Sequence, residues 1–280
     1  MCQTDVVEDV LWDLLELLQA KAPLAIACSG GLDSRFLCHA ARLAKTDFLA
    51  IHVEGPHVPP AENRYALQYL ADMDIAFLNL PLNPLDKPEV AANSRKRCYF
   101  CKKILFQSMK EQLRHHGEAD RLLCDGTNFD DLGEYRPGLL ALKEEGIFSP
   151  LAACNMDKAC LRRLAKATQL PNPNQPSNPC LLTRFPYDTQ VSTDELARIG
   201  ACEEALRTFF THFPDCPAPN LRLRICQEPI LQITPFPPNL RQALREILAS
   251  YKLLPCRLLI TETVSGFFDR KEDHKELPLL

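Results

Sequence analysis

Apolar residues in the first half of the chain alternate between helical spacing and short continuous runs. Residues 6–19 carry apolar side chains at helical spacing, and Pro23 ends that pattern. Continuous apolar runs at 23–28, 48–53, 75–80 and 121–124 predict four buried strands with helical stretches between them. Such alternation predicts an α/β fold with a Rossmann-like, doubly wound parallel sheet.

The second half is organised differently, and a proline-rich segment separates the two halves. After a helix predicted at 157–168, the stretch PNPNQPSNP holds four prolines in nine residues and cannot continue regular structure. Beyond it, we predict a helix at 193–210, strands near 221–225 and 258–261, and a helix at 240–254. We therefore expect an α/β domain at 1–175 and a smaller C-terminal α+β domain at 176–280.

The composition is that of an ordinary globular protein. Of 280 residues, 46% are hydrophobic and 24% are charged, and the formal net charge is -4. This acidic balance argues against nucleic acid or a membrane surface as a partner. Charges interrupt the apolar segments before a membrane-spanning length of roughly 20 residues, and MCQTDVVEDV is acidic where a signal peptide is basic. We expect a cytoplasmic protein.

The strongest local signal is the hexapeptide Ser29-Gly30-Gly31-Leu32-Asp33-Ser34, named here the phosphate loop, between a predicted strand and a predicted helix. Its glycines let the backbone approach an anion, and its amides and the helix N-terminus direct positive dipoles at phosphate. Asp33 would repel a phosphate by itself, so its presence indicates a bridging Mg²⁺. The alternative is a plain Gly-Gly turn with a serine cap, which the whole hexapeptide disfavours.

The phosphate loop resembles the SGGxDS loop of the PP-loop ATP pyrophosphatases, which have an adenine-nucleotide α-hydrolase-like fold. It lacks the GxxxxGK[ST] pattern of kinases and GTPases. The resemblance implies that ATP is cleaved between its α and β phosphates while a substrate oxygen becomes an adenylate. It also implies that pyrophosphate and magnesium are bound by Ser29, Gly30, Gly31, Asp33 and Ser34.

Three of the thirteen cysteines form a pattern of their own. Cys98 and Cys101 make a Cys-x-x-Cys in the basic stretch SRKRCYFCKK, and Cys180 follows the proline-rich segment. They could supply three ligands of a metal site, although a four-cysteine zinc site needs one more close cysteine. On the pair alone, two idle thiols on a helix, or a redox pair, is at least as good an interpretation.

Four segments occur in the order found in the LarE family of PP-loop sulfur transferases, which this chain resembles from about residue 5 to 210. They are RCYFCKKILF at 97–106, DGTNFDDLGEYRPG at 125–138, FSPL at 148–151 and PSNPCLLTRFPY at 176–187. The resemblance implies adenylation of a carboxylate of a pyridinium-dicarboxylate mononucleotide. A sulfur nucleophile then releases AMP and leaves a thiocarboxylate, toward a nickel-pincer nucleotide cofactor.

The same resemblance implies how the cysteines act. In one form of the family, the cysteine matching Cys180 surrenders its own sulfur. In the other, it joins a Cys-x-x-Cys to hold a [4Fe-4S] cluster as sulfur carrier. Because this chain has Cys98, Cys101 and Cys180, we identify it with the cluster form.

Further site residues are expected by matching positions, with Cys180 and Asp33 as the catalytic pair. The loop near the nucleotide contains Thr127, Asn128 and either Asp130 or Asp131, although these aspartates also suit a solvated turn. Guanidinium groups suit a substrate phosphate, and we expect that role for Arg184, Arg222 and Arg224. Arg222 and Arg224 could equally form a wet strand face.

The remaining expectations concern partners and alternatives. We expect a mononucleotide substrate, sulfide or another sulfur donor, and a homo-oligomer, with a hexamer among the options. Alternatives are a tRNA thiolase, a cluster-dependent desulfidase, and a non-catalytic nucleotide-binding or zinc-stabilised module. The C-terminal third departs from the family, since Ile230-Leu231-Gln232 stands where an arginine, isoleucine and glutamate are expected.

Overall fold

A computed structural model describes residues 3–133, 137–213, 218–269 and 278–280, with side chains from Asp9 onward in the first helix. The chain divides into two compact units. Unit 1 comprises Met1–Gly55, Ala61–Pro84 and Lys96–Asn178, and unit 2 comprises Pro56–Pro60, Leu85–Arg95 and Pro179–Leu280. The single domain boundary at 175/176 stays a prediction. The sequence pattern did not indicate that two short segments within the first hundred residues belong to unit 2.

The secondary structure follows the expected alternation in the first half of the chain. The strands are β1 (Leu24–Ala27), β2 (Phe48–Glu54), β3 (Phe77–Pro81), β4 (Leu122–Cys124), β5 (Leu221–Arg224), β6 (Ile230–Ile233) and β7 (Arg257–Ile260). The helices are α1 (Gln3–Ala20), α2 (Leu32–Leu43), α3 (Pro60–Asp72), α4 (Pro88–Ala91), α5 (Arg97–His115), α6 (Phe129–Leu132), α7 (Pro137–Glu144), α8 (Pro150–Ala153), α9 (Lys158–Ala167), α10 (Thr193–Thr211) and α11 (Arg241–Ser250). Among the described residues, no helix combines the length and the apolar content needed to cross a bilayer.

Unit 1 is built on a four-stranded parallel sheet in the order β3-β2-β1-β4. The chain runs from β1 outward to β3 and then returns to place β4 on the other side of β1. This reversal makes a topological switch point between the carboxyl ends of β1 and β4, where open α/β sheets bind their ligands. The sheet confirms the predicted α/β, Rossmann-like class.

Helices cover both faces of this sheet because successive strand residues point to opposite sides. Leu24 and Ile26 belong to an apolar cluster that includes buried residues of α1, α2 and α9. Ala25 and Leu123 belong to a second cluster that includes Phe106 and Met109 of α5 and a leucine of α7. The two clusters explain why the strands read as continuous apolar runs rather than as alternating ones.

Unit 2 contains a three-stranded sheet in the order β5-β6-β7, antiparallel between β5 and β6 and parallel between β6 and β7. Helix α10 begins with a capping box, in which Ser192 accepts from the Glu195 amide and Glu195 accepts in return. The apolar pattern predicted β5, β7, α10 and α11, and these are confirmed, whereas β6 was not predicted.

Candidate functional site

The phosphate loop joins β1 to α2 at the switch point of the unit 1 sheet. Gly31 is the N-cap of α2 and has an extended backbone, with φ -70° and ψ 161°. Since glycine has no side chain to cap the first helical amides, those N–H groups can serve an anion. The loop therefore has the geometry of an anion cradle.

Gly30 is required by both its backbone and its surroundings. Its φ is +81°, a backbone conformation that residues with a Cβ rarely adopt. A Cβ at this position would also lie 2.7 Å from the Cβ of Ala66 on α3. The Ser34 hydroxyl accepts from the Ser29 amide at 3.1 Å and donates to the Gly31 carbonyl at 3.1 Å. The Ser34 hydroxyl thus joins the two ends of the Ser29–Gly31 turn.

The second half of the site is the loop after β4, which packs directly against the phosphate loop. A Cβ on Gly126 would lie 2.9 Å from the Ser34 amide nitrogen, so a glycine is needed for this approach. Asn128 is fully buried and donates from Nδ2 to Asp33 Oδ2 at 3.0 Å. It also forms a capping box with Asp131 at the start of α6. The predicted residues Asp33, Asn128 and Asp131 are therefore brought together.

Asp33 has the surroundings expected of a magnesium ligand. Burial raises the pKa of its carboxyl, while the hydrogen bond from Asn128 and the positive charge of Lys158 oppose that rise. Lys158 Nζ lies 3.9 Å from Asp131 Oδ1. Mg²⁺ typically uses one or two carboxylates and takes further ligands from phosphate and water, so these hard oxygen donors fit it. Magnesium binding by Asp33 stays a prediction.

One residue of this region, Asp125, was given no role by sequence reasoning. Asp125 is buried at the end of β4 and accepts from Thr127 Oγ1 and Ser149 Oγ, each at 2.6 Å. Lys102 Nζ lies 3.5 Å from Asp125 Oδ2, and Lys102 directly follows Cys101 in α5. The ion pair joins the thiol-bearing helix α5 to the residue that follows β4. The sequence signal that could have indicated a site role for Asp125 is its position between the end of β4 and Gly126.

The three predicted metal ligands are divided between the units. Cys98 and Cys101 lie three residues apart in the first turn of α5, on one face of the helix, and Cys98 is exposed. Cys180 belongs to unit 2 and is half-buried. In neither unit do three of the described His, Cys, Asp or Glu side chains form a group that could hold a metal ion. A three-thiolate site therefore stays a prediction.

Arg184 holds the backbone on both sides of Cys180. It is fully buried, and its Nε and Nη2 donate to Glu203 at 2.9 and 2.8 Å. Its Nη1 donates to the Pro179 carbonyl at 2.9 Å and to the Cys180 carbonyl at 3.4 Å. Burial opposes ionisation of Glu203, but Arg184 and Arg207 hold its pKa below the usual range. Arg184 as a ligand of substrate phosphate stays a prediction, and the contacts themselves give it a positioning role.

Arg222 and Arg224 are both buried on β5, so they do not form the wet strand face considered above. Arg224 donates to Gln232 Oε1 through Nε at 2.9 Å and Nη2 at 2.8 Å, and lies over the Phe267 ring. Burial, followed by repulsion from neighbouring arginines, lowers the pKa of both guanidinium groups. The cluster around Glu203 therefore carries positive charge that an anion would offset.

The parallel sheet and the glycine-bearing loop at its switch point define the class, an α/β protein of Rossmann-like architecture. No protein-family model matches the chain. It is 35% identical over 183 residues to the uncharacterized protein slr1717 of Synechocystis sp., covering 65% of this chain and 68% of that one. It is also 35% identical over 188 residues to the uncharacterized protein MJ0830 of Methanocaldococcus jannaschii, covering 66% and 70%. The chain belongs to the same family as these two proteins.

A further relative has a functional name. The chain is 27% identical over 197 residues to pyridinium-3,5-bisthiocarboxylic acid mononucleotide synthase of Lactiplantibacillus plantarum, covering 70% of this chain and 71% of that one. The resemblance to the LarE family inferred from the motifs is thereby supported as a distant relationship.

The close approach of the two loops predicts that Gly126→Ala is destabilising. The added Cβ would overlap the Ser34 backbone, and we expect a loss of about 1 to 3 kcal/mol in the free energy of unfolding, measured in urea. Gly133→Ala is the matched control, because among the described residues its Cβ would meet only the Asp130 carbonyl, at 3.7 Å. Equal stability of the two variants would contradict the described contact.

The buried ion pairs predict that Glu203→Gln costs about 3 to 5 kcal/mol, because removing one partner leaves buried guanidinium charge uncompensated. Since the folded pKa of Glu203 is lowered, its stabilisation is present above the ordinary glutamate pKa and is lost as the pH falls through the folded value. Denaturant titrations should therefore show wild type and Glu203→Gln converging in acid. Glu246→Gln on α11, an exposed site, should change stability by less than about 0.5 kcal/mol at any of these pH values.

Proposed function

We propose that the protein is an ATP-dependent sulfur transferase that adenylates a carboxylate of a mononucleotide and replaces carboxylate oxygen with sulfur. The observation that carries the proposal is the anion cradle of the phosphate loop, whose Asp33 accepts a hydrogen bond from Asn128 of the loop after β4, in a chain that also has the cysteine trio. The distant relationship to the named synthase supports a pyridinium-dicarboxylate mononucleotide as the substrate class.

In the first proposed step, a substrate carboxylate oxygen attacks the α-phosphorus of ATP. The bond from that phosphorus to the oxygen bridging toward the β-phosphorus breaks, and pyrophosphate leaves with the electron pair. The Gly31 amide, the first amides of α2 and the Ser29 hydroxyl stabilise the departing charge, while the Ser34 hydroxyl holds the loop through the Ser29 amide and the Gly31 carbonyl. Asp33 is the proposed ligand of a magnesium ion, which supplies further positive charge against the pyrophosphate. Thr127, Asn128 and Asp131 keep the neighbouring loop in place.

In the second proposed step, a sulfur nucleophile attacks the acyl carbon of the adenylate. The bond between that carbon and the AMP oxygen breaks, which releases AMP and leaves a thiocarboxylate. Cys98, Cys101 and Cys180 would hold a [4Fe-4S] cluster through three thiolates, and the cluster would supply exchangeable sulfide as the sulfur nucleophile. Support for this proposal comes from the chemistry of the donors, since thiolates are the usual ligands of iron–sulfur clusters and Cys98 and Cys101 share one face of α5.

The excess positive charge around Glu203 suits a phosphate of the mononucleotide, and Arg222 and Arg224 are the proposed source of that attraction. A tRNA thiolase would use the same loop and cysteines, but the net charge of -4 disfavours it. A desulfidase would run the sulfur chemistry toward release of sulfide. Assembly into a homo-oligomer and the identity of the sulfur donor stay predictions.

The cluster proposal predicts about four irons per chain after anaerobic purification and reconstitution, with matching acid-labile sulfide. The iron and the electron paramagnetic resonance signal of the reduced cluster should be lost in Cys98→Ala, Cys101→Ala and Cys180→Ala. Cys154→Ala, which removes a half-buried thiol of unit 1 outside the trio, should retain both.

The contrary outcome is equally distinct. A protein that takes up no iron on reconstitution, and whose Cys180 becomes dehydroalanine during turnover by peptide mass spectrometry, would be a sacrificial sulfur donor. In that case the Cys-x-x-Cys would be incidental.

A further inference from the structure

Arg35 is a fully buried cation directly after the phosphate loop. Its Nε donates to the Gly30 carbonyl at 3.0 Å, and its Nη1 donates to the Pro171 carbonyl at 2.7 Å. Its Nη2 donates to the Asn172 carbonyl at 3.1 Å and to Gln175 Oε1 at 2.7 Å. One guanidinium therefore joins the loop to residues more than 130 positions away.

This charge is held by neutral groups. The acceptors just named are carbonyl and amide oxygens, and the guanidinium carbon lies 5.1 Å from the ring centroid of Tyr65 and 5.2 Å from that of Tyr69. The nearest carboxylate in this network is Glu62, which accepts from Gln175 Nε2 at 3.1 Å. Burying a cation is costly unless it is fully hydrogen-bonded, so a packing role alone would be served better by an apolar side chain.

The hydrogen bond from Arg35 to the Gly30 carbonyl also determines the direction of the Gly31 N–H, because both groups belong to one planar peptide. The described cis peptide bonds lie elsewhere, so this bond is trans, and its carbonyl and its N–H point in opposite directions. Because Arg35 holds the Gly30 carbonyl, the Gly31 N–H faces away from Arg35. It faces Ser29 Oγ, at 3.5 Å, on the side of the loop where the hydroxyls converge.

We propose that Arg35 is a positioning residue, which holds the Gly30–Gly31 peptide so that the Gly31 N–H is directed at the pyrophosphate portion of ATP. This inference rests on the proposed function. Glycine readily adopts several backbone conformations, so a Gly-Gly peptide needs an external lock to hold one orientation. A preorganised N–H binds an oxyanion without a reorientation cost. Arg35 thus acts on the anion through Gly30 rather than by touching it.

Arg35 also contacts the proline-rich segment that precedes Cys180 in the sequence. Pro171, Asn172 and Gln175 belong to the proline-rich segment, and Asn178, two residues before Cys180, donates to Glu62 Oε1 at 3.2 Å. The Gln175 contact can be removed while the Gly30 contact remains. Gln175→Leu therefore separates anchoring of the segment from anchoring of the loop.

The test is isothermal titration calorimetry of the whole protein with ATP, inorganic pyrophosphate and AMP. Arg35→Met should weaken pyrophosphate and ATP binding on the order of tenfold to a hundredfold, the range for one lost hydrogen bond to a charged group. AMP binding should change by less than about threefold, since AMP lacks the pyrophosphate. Gln175→Leu should retain pyrophosphate binding within about threefold.

A second variant covers the case in which Arg35→Met does not fold. Arg35→Lys keeps the buried charge but replaces the planar fork with a single ammonium, and it should show the same selective loss of pyrophosphate affinity. A folded Arg35 variant that binds pyrophosphate like wild type, or one that loses AMP to the same extent, overturns the inference. A wild-type protein that binds neither ATP nor pyrophosphate instead counts against the proposed function.

Discussion

The contact between the loop after β4 and the first turn of α2 is the constraint that organises unit 1. It exists because the order in which the chain adds strands reverses at β1, which brings the carboxyl ends of the parallel strands β1 and β4 side by side. The backbones can meet only because Gly126 has no side chain, and Asn128 then reaches Asp33. The anion cradle, the Asp33 carboxylate and the DGTN loop therefore lie together because of one topological feature, the switch point between β1 and β4.

Each unit also fixes a thiol-bearing segment by a buried or partly buried charge. In unit 1, the ion pair of Lys102 and Asp125 joins the helix of Cys98 and Cys101 to the end of β4. In unit 2, Arg184 spans from Glu203 to the backbone around Cys180. Replacing a buried ion pair by apolar residues is often neutral or stabilising, so the Arg184–Glu203 pair is better explained by the backbone that Arg184 holds than by stability alone.

The sequence predicted what depends on local patterns. The apolar runs gave β1 to β4, and the glycines with Asp33 indicated a phosphate loop, because these signals lie within a few adjacent residues. It did not predict β6, whose four residues include Gln232, a buried polar side chain that hydrogen-bonds Arg224 and the Thr263 carbonyl. Nor could it show that Arg184 and Arg35 are enclosed, since their partners lie 19 and up to 140 positions away.

The most direct measurement follows oxygen-18 from the substrate carboxylate into AMP. The protein would be incubated with ATP, sulfide and a pyridinium-dicarboxylate mononucleotide labelled in its carboxylates, and the products analysed by phosphorus NMR and mass spectrometry. We expect pyrophosphate together with AMP that carries the label, because the carboxylate oxygen becomes bonded to the α-phosphorus. Release of ADP and phosphate, or of AMP without the label, would contradict it.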